Sequence, residues 1–343
     1  MNRMEPQRDC PECEGVTPFD RRSFFRTVGG QAAAILAIGS AAGATRALDT
    51  VKPTMVVKPA EDLVRELFAT LSAEQKPLVV FPWDHAIKKG IPTRLGMYNA
   101  PIGKKIRDVY TKPQQELLDR IFRSIAAGDE GYHRLSRGGN FDASGSFTGI
   151  GATIYGEPTD KNKFSLVFAG HHLTVRCDGN SEPDAAFGGP MYYGHTPDGS
   201  SKENVFYYQT QAVWSVFNAL SEKQRKTASI DGSPGELAPS VQFRKNGMKF
   251  PGLSIQELSK DQRALVESVM RELLSPFRKE DADEVMDLLK KNGGMEKIHL
   301  AFYYEESGDA IQWHFWRLEG PGFIWNFRVL PHVHTYVNIA GVA

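Results

Sequence analysis

The C-terminal stretch Pro331-His332-Val333-His334-Thr335-Tyr336-Val337-Asn338-Ile339 alternates strictly, with His332, His334, Tyr336 and Asn338 on one side and Val333, Thr335, Val337 and Ile339 on the other. Strand side chains change face with a period of two, so both imidazoles point the same way. Two neutral imidazoles on one strand can ligate one metal ion; the ordinary alternative is a pair of half-exposed sheet histidines. Gly170-His171-His172 offers a second group. Within a strand, adjacent residues face opposite ways, so only one of His171 and His172 serves unless a bulge at Gly170 re-aims the other. His195, in Tyr192-Tyr193-Gly194-His195-Thr196, and His314, in Gln312-Trp313-His314-Phe315, are further possible ligands, whereas His85, His133 and His299 show no partner pattern.

A mostly imidazole donor set suits zinc, copper or iron better than magnesium or calcium, which prefer oxygen. With an open coordination position, zinc would activate water for hydrolysis, and copper or iron would support oxidation. Tyr336, on the ligand face, is a candidate acid or a partner to a ligand. Arg317 and Arg328 stand beside Trp313, Phe315, Trp316, Trp325 and Phe327, and either could clamp an anionic substrate. A sheet arginine stacked on an aromatic ring is the ordinary arrangement, and the tryptophans read as packing residues.

These residues need elements to hold them, and the elements repeat. A helix-like run over 61–71 leads into Ser72-Ala73-Glu74-Gln75, and one over 210–220 leads into Ser221-Glu222-Lys223-Gln224. Ser followed three residues later by Gln is the capping-box signature. Thr111-Lys112-Pro113-Gln114 and Ser259-Lys260-Asp261-Gln262 open further helices with apolar residues at i, i+3 and i+4. The offsets are 149 residues (72 to 221) and 148 (111 to 259), and the strand-like runs 168–175 and 318–325 lie 150 apart. The near-constant offset predicts a tandem duplication, a first half over 48–200 and a second over 201–343, each with helices followed by an antiparallel sheet: an α+β protein built as a pseudo-symmetric pair with the site between the halves. In the second half, strands are expected over 297–305, 310–318 and 323–330, with turns at 307–309 and 319–322. The Gly/Ser-rich stretch 137–151 reads as a surface loop rather than a lid over a site.

Asp20-Arg21-Arg22-Ser23-Phe24-Phe25-Arg26, the mildly apolar run 28–44 and small residues at 42–47 together read as a twin-arginine export signal over 1–47. The mature protein is then expected in the periplasm, handed over by the export machinery, with no membrane span left after cleavage. Because that route carries folded proteins, often with a cofactor loaded, it tips the reading towards copper or iron redox chemistry over zinc hydrolysis. Cys10 and Cys13 form half of a metal site and have no second pair; Cys177 reads as a small buried residue.

The chain has 343 residues, 41 basic and 41 acidic, for a net charge of zero, and 41% hydrophobic residues. This balance describes an ordinary globular protein and offers no electrostatic footprint for nucleic acid. No His-Glu-x-x-His, Gly-x-Ser-x-Gly or Gly-x-Gly-x-x-Gly occurs, and Gly103-Lys104-Lys105 lacks the rest of a P-loop, so nucleotide, dinucleotide and serine-hydrolase functions lack support.

The Leu-Ser-x-x-Gln boxes, Tyr155-Gly156-Glu157-Pro158, Gly170-His171-His172-Leu173, Arg317-Leu318-Glu319-Gly320-Pro321 and Pro331-His332-Val333-His334 together resemble the bacterial family catalogued as domain of unknown function 3500, across nearly the whole mature chain. Many of its members continue after His-x-His with Arg-Asp-Pro and Asp-Tyr-Gly, where this chain has Tyr336-Val337-Asn338-Ile339, so it reads as a divergent branch. The resemblance implies no reaction, and function must be argued from the site. The expectation is a metal-dependent enzyme acting on a small molecule, with His171, His172, His332 and His334 as ligands; the competing reading is a non-catalytic protein that binds metal or a small ligand.

Overall fold

A computed structural model describes residues 59–87, 90–236, 242–244, 248–304 and 313–342. The expected leader over 1–47, with Cys10 and Cys13, lies outside the described residues, as does the turn expected at 307–309. No helix among the described residues is long and apolar enough to cross a membrane.

The capping boxes form, and they do more than start helices. Helix α1 (Ala60–Thr70) runs through Ser72 and Gln75 into the single turn α2 (Lys76–Val79); α3 (Ile106–Val109) precedes α4 (Lys112–Ile125), which opens on the Thr111/Gln114 box. The Gln75 and Gln114 side-chain amides donate to each other at 2.8 and 3.1 Å, and each also donates to a backbone carbonyl: Gln75 to Val109 at 2.8 Å and Gln114 to Thr70 at 3.0 Å. Helix α5 (Gly128–Leu135) completes the first helical layer. Later in the chain, α6 (Tyr207–Ala219), α7 (Glu222–Ala228, capped by Ser221/Gln224) and α8 (Lys260–Leu274, capped by Ser259/Gln262) repeat the device. Gln224 and Gln262 exchange amide hydrogen bonds of 3.0 Å and reach the carbonyls of Glu257 and Ala219 at 3.0 and 2.7 Å. Helix α9 (Lys279–Lys291) follows.

Gln114 is 5% exposed, so its amide bonds are made out of water. Gln114→Ala should lower the unfolding free energy by about 2 kcal/mol, the loss of a cap together with two buried hydrogen bonds, and equilibrium urea unfolding measures it.

Among the described residues all strands join one 11-stranded mixed sheet in the order β1-β2-β3-β4-β5-β11-β10-β9-β8-β6, with β7 pairing β8 off this path. The strands are β1 (Val80–Phe81), β2 (Gly151–Gly156), β3 (Phe164–Gly170), β4 (Leu173–Cys177), β5 (Met191–His195), β6 (Ser229–Asp231), β7 (Leu253–Ser254), β8 (His299–Tyr304), β9 (Trp313–Gly320), β10 (Phe323–Arg328) and β11 (Val333–Ile339). Most pairs are antiparallel, but β1–β2 and β6–β8, near the two edges, are parallel, so the sheet is not purely antiparallel as expected. A short strand following a helix can enter a sheet in either sense, and these pairings rest on contacts too distant in sequence to carry a local pattern. The sheet is also continuous. At its centre β5 pairs antiparallel with β11, through Tyr192↔Tyr336 and Gly194↔His334.

The two faces of this sheet are both buried and differ in chemistry. Leu166, Phe168, Leu173, Val175, Tyr193, Leu300, Phe302, Trp316, Leu318, Trp325, Val337 and Ile339 join the helices in one large apolar core. The opposite face carries Thr174, Arg176, Tyr192, Arg317, Glu319, Asn326, Arg328, His334 and Tyr336, all buried. Residues outside the strands cover it. Residues 94–99 lie along β4, where the Tyr98 amide donates to Thr174 Oγ1 at 2.8 Å and Arg176 Nε donates to the Arg94 carbonyl at 2.7 Å. Gly235 and Arg244 lie over the other half, where Tyr336 donates to the Gly235 carbonyl at 2.9 Å and Arg244 pairs with Glu319 at 2.5 Å.

Candidate metal centre

The strand-like run 168–175 is in fact two strands. Gly170 pairs with Leu173, and His171-His172 form the turn between β3 and β4, with His172 in the left-handed region at φ 52°. The strand alternation that predicts opposite orientations for the two residues does not operate in a turn. Their rings lie together, centroids 3.9 Å apart. Gly170 is required here because a Cβ on it would stand 2.4 Å from Ile150 Cγ2, too close for the stretch 137–150 to pack against the turn.

That stretch is not a plain surface loop. Phe141, fully buried, and Phe147 pack with their ring centroids 5.7 and 5.8 Å from that of Phe122 on α4, and so pin the loop from below. The pinning delivers Asp142, whose side chain is 2% exposed, to the histidines. One carboxylate oxygen accepts from His172 Nδ1 at 2.7 Å and the other from His195 Nδ1 at 2.6 Å, with Arg137 Nε 3.7 Å away. Ser144, from the same loop, accepts the His171 amide at 2.9 Å, and Asn99 Oδ1 accepts the His172 amide at 2.7 Å.

On β11 the sequence pattern places its residues correctly: His332, just ahead of the strand, and His334 bring their Nε2 atoms to 3.0 Å from each other. His172 Nε2 reaches 3.0 Å from His332 Nε2. The three rings form a triangle with centroid separations of 4.7, 4.8 and 4.7 Å. His334 Nδ1 donates to Glu236 Oε1 at 3.0 Å, while Arg328 pairs with Glu236 at 2.5 Å and donates from Nη2 to His334 Nε2 at 2.7 Å.

These partners fix the tautomers. A carboxylate only accepts, so His172 and His334 each carry their proton on Nδ1 and turn an Nε2 lone pair inward. In the metal-free protein His332 Nε2 can donate to His172 Nε2 while Arg328 Nη2 donates to His334 Nε2, so the three ring nitrogens converge through hydrogen bonds that a metal ion would replace. A tetrahedral metal with bonds of about 2.0–2.1 Å holds its nitrogens roughly 3.3 Å apart, close to the separations here. His172, His332 and His334 therefore form a group able to hold a metal ion, and no fourth donor joins them among the described residues. A carboxylate behind a ligating imidazole is the usual orienting arrangement, and two of the three have one.

The remaining candidates fall elsewhere. His171 stands in a second group with Asp142 and His172, and its Nδ1 accepts the Ala143 amide at 3.3 Å, which leaves its proton on Nε2. It therefore presents a donor, not a lone pair, from Nε2. His195 holds Asp142. His314, on β9, is buried outside both groups, and its carbonyl accepts the Val329 amide at 2.9 Å. Arg317 pairs with Glu319 at 3.1 Å, a partnership that also includes Arg244, and belongs to neither histidine group. Tyr336 is fully buried and packs with Tyr192 and Ile324; its hydroxyl accepts from Asn326.

Burial pushes the imidazoles of His172 and His332 down to about 2 and about 3, and, reinforced by Arg328, holds His334 well below its ordinary value. Burial would raise Asp142, but the hydrogen bonds from His172 and His195, with Arg137, reverse this and hold it below the usual carboxylate range. All three converging rings are thus neutral at neutral pH, as ligation requires. Unfolded histidines protonate near 6.5 and the folded ones only several units lower, so metal-free protein loses up to about 1.4 kcal/mol per ring per pH unit below 6.5. Asp281, raised to about 6 by burial, gives some back between pH 6 and 3.8. A net loss of roughly 3–5 kcal/mol between pH 7 and 5 is expected from urea unfolding of the metal-free protein; a flat profile would show that the rings are not buried as neutral species.

No curated protein and no solved structure matches this chain. Residues 51–339 match the family described as "Protein of unknown function (DUF3500)". With that match spanning most of its length, and with the Gly-His-His and His-x-His elements now seen to meet in one site, the chain belongs to the DUF3500 family.

Proposed function

We propose that this protein is an exported metalloenzyme whose centre is a three-imidazole site formed by His172, His332 and His334. The observation that carries this reading is that His332 Nε2 lies 3.0 Å from the Nε2 atoms of both His172 and His334, with His172 and His334 locked into the ligating tautomer by Asp142 and Glu236. Structural metal sites close their coordination with protein atoms, whereas three ligands with no fourth donor among the described residues describe a site left open for a small molecule. When bound, copper or iron would supply oxidation at that position, and zinc would supply an activated water. Redox chemistry is preferred because the twin-arginine signature at 20–26 fits export of a folded, cofactor-loaded protein to the periplasm. Elemental analysis of mature protein purified without a metal-binding tag tests the proposal. One equivalent of copper or iron supports it, zinc redirects it to hydrolysis, and an apo protein that takes up no metal on titration overturns it.

A second reading, a non-catalytic metal carrier, is favoured by the depth of the site: His172, His332 and His334 are 0, 3 and 6% exposed. Coordination number from X-ray absorption separates the two, because a carrier needs a fourth protein ligand.

A tandem duplication is supported by the strand order, which meets head-on at β5 and β11, by the two glutamine pairs, and by the β3–β4 and β9–β10 hairpins 150 residues apart. The turn Pro321-Gly322, with φ 60° at Gly322, stands where the first half has His171-His172, with φ 52° at His172. On this view one half keeps a plain tight turn and the other uses the same turn to present ligands.

A further inference from the structure

We infer that the centre takes a small anion, held between the metal and Arg328; this rests on the metal-centre reading above. Arg328 Nη2 donates to His334 Nε2 at 2.7 Å and so occupies the lone pair that a metal needs. Metal and that hydrogen bond exclude each other. Yet Arg328 cannot leave, because its Nε donates to the His332 carbonyl at 3.2 Å and its Nη1 pairs with Glu236 at 2.5 Å. Metal entry therefore leaves a tethered guanidinium, with an N–H released, at the edge of the coordination sphere.

Charge sharpens the point. Within the site the guanidiniums of Arg137 and Arg328 balance the carboxylates of Asp142 and Glu236, and the three imidazoles are neutral. A divalent ion adds two positive charges to a place where they are poorly solvated, and a buried charge needs a counter-charge. An anionic oxygen donor, such as the carboxylate or enolate of a substrate, bound to the metal and accepting from Arg328 Nη2, supplies charge and acceptor together. A neutral substrate can supply the acceptor but not the charge.

The test uses full-length mature protein loaded with cobalt(II), whose visible bands report its ligands, with azide as the anionic probe. Removing the competitor in Arg328→Gln should raise cobalt affinity several-fold and, by deleting a charge-assisted hydrogen bond, weaken azide binding about tenfold or more; Arg328→Lys should recover part of the azide binding. An arginine that merely braces Glu236 and His334 predicts the opposite for cobalt, a fall in affinity, with azide unchanged, and that result overturns the inference. A measurement on unaltered protein guards against misfolded variants: by linkage, azide must tighten cobalt binding by the same factor that cobalt tightens azide binding. Cobalt bound stoichiometrically with no response to azide sinks the anion site alone, whereas no cobalt binding sinks the metal centre with it.

Discussion

Replacing His332 and His334 together with alanine is expected to abolish stoichiometric metal binding, while His171→Ala and His314→Ala should leave it intact. The contrast follows from where the lone pairs point. His332 and His334 bring Nε2 atoms to 3.0 Å from each other, whereas His171 uses Nδ1 to accept a backbone amide and His314 lies outside the converging group. Removing two of three ligands leaves His172 with no partner donor in that group, and a single imidazole does not retain a divalent ion against dialysis. The fold should survive, since the rings lie on the polar face of the sheet and the apolar core is untouched; circular dichroism and a urea midpoint check this. Metal content measured on dialysed protein decides the matter, and full retention in the double variant would remove these residues from the site. Loss of metal in His171→Ala would shift the assignment towards the second group.

How much of this centre could be read in advance depends on how local each signal is. The pair His332 and His334, at the start of β11, was legible because period-two alternation is a property of neighbouring residues, and the capping boxes were legible for the same reason. His171 and His172 could be named as candidates, but their geometry could not be derived: a hairpin turn of two residues, with positive φ at His172, looks like continuous strand when its flanks are apolar. Gly170 was the available clue, and its role is steric, not the bulge considered for it. Asp142 and Glu236 carried no pattern at all. Each lies in an irregular segment and reaches the site through long-range packing, Asp142 because Phe141 and Phe147 anchor its loop around Phe122. An aromatic on either side of a Gly/Ser stretch was the one signal that this loop packs inward. Arg328 was visible as a sheet arginine, but its attachment to Glu236 spans 92 residues and no local rule anticipates it.

Asp142 also carries the second large effect. Its two oxygens accept from two rings, 2.7 Å from His172 and 2.6 Å from His195, and Asp142→Asn cannot reproduce this. An amide offers one acceptor oxygen and one donor NH2, so one ring then faces a donor with its own N–H and must move its proton to Nε2. If that ring is His172, its lone pair leaves the metal position and metal affinity falls about 10- to 100-fold, the usual cost of losing a carboxylate behind a ligand. The same change strands Arg137, buried 3.7 Å from the lost charge, and breaking a buried pair by removing one partner costs about 3–5 kcal/mol. Glu236→Gln should weaken metal binding comparably, because it frees the tautomer of His334, but cost less stability, since Glu236 is 22% exposed against 2% for Asp142. Competition titration with a chromophoric chelator and urea unfolding of the metal-free variants measure the two quantities separately. Unchanged metal affinity in Asp142→Asn would show that the Asp142–His172 pair does not set the ligand, and the stability loss alone would then make Asp142 a partner of Arg137 and nothing more.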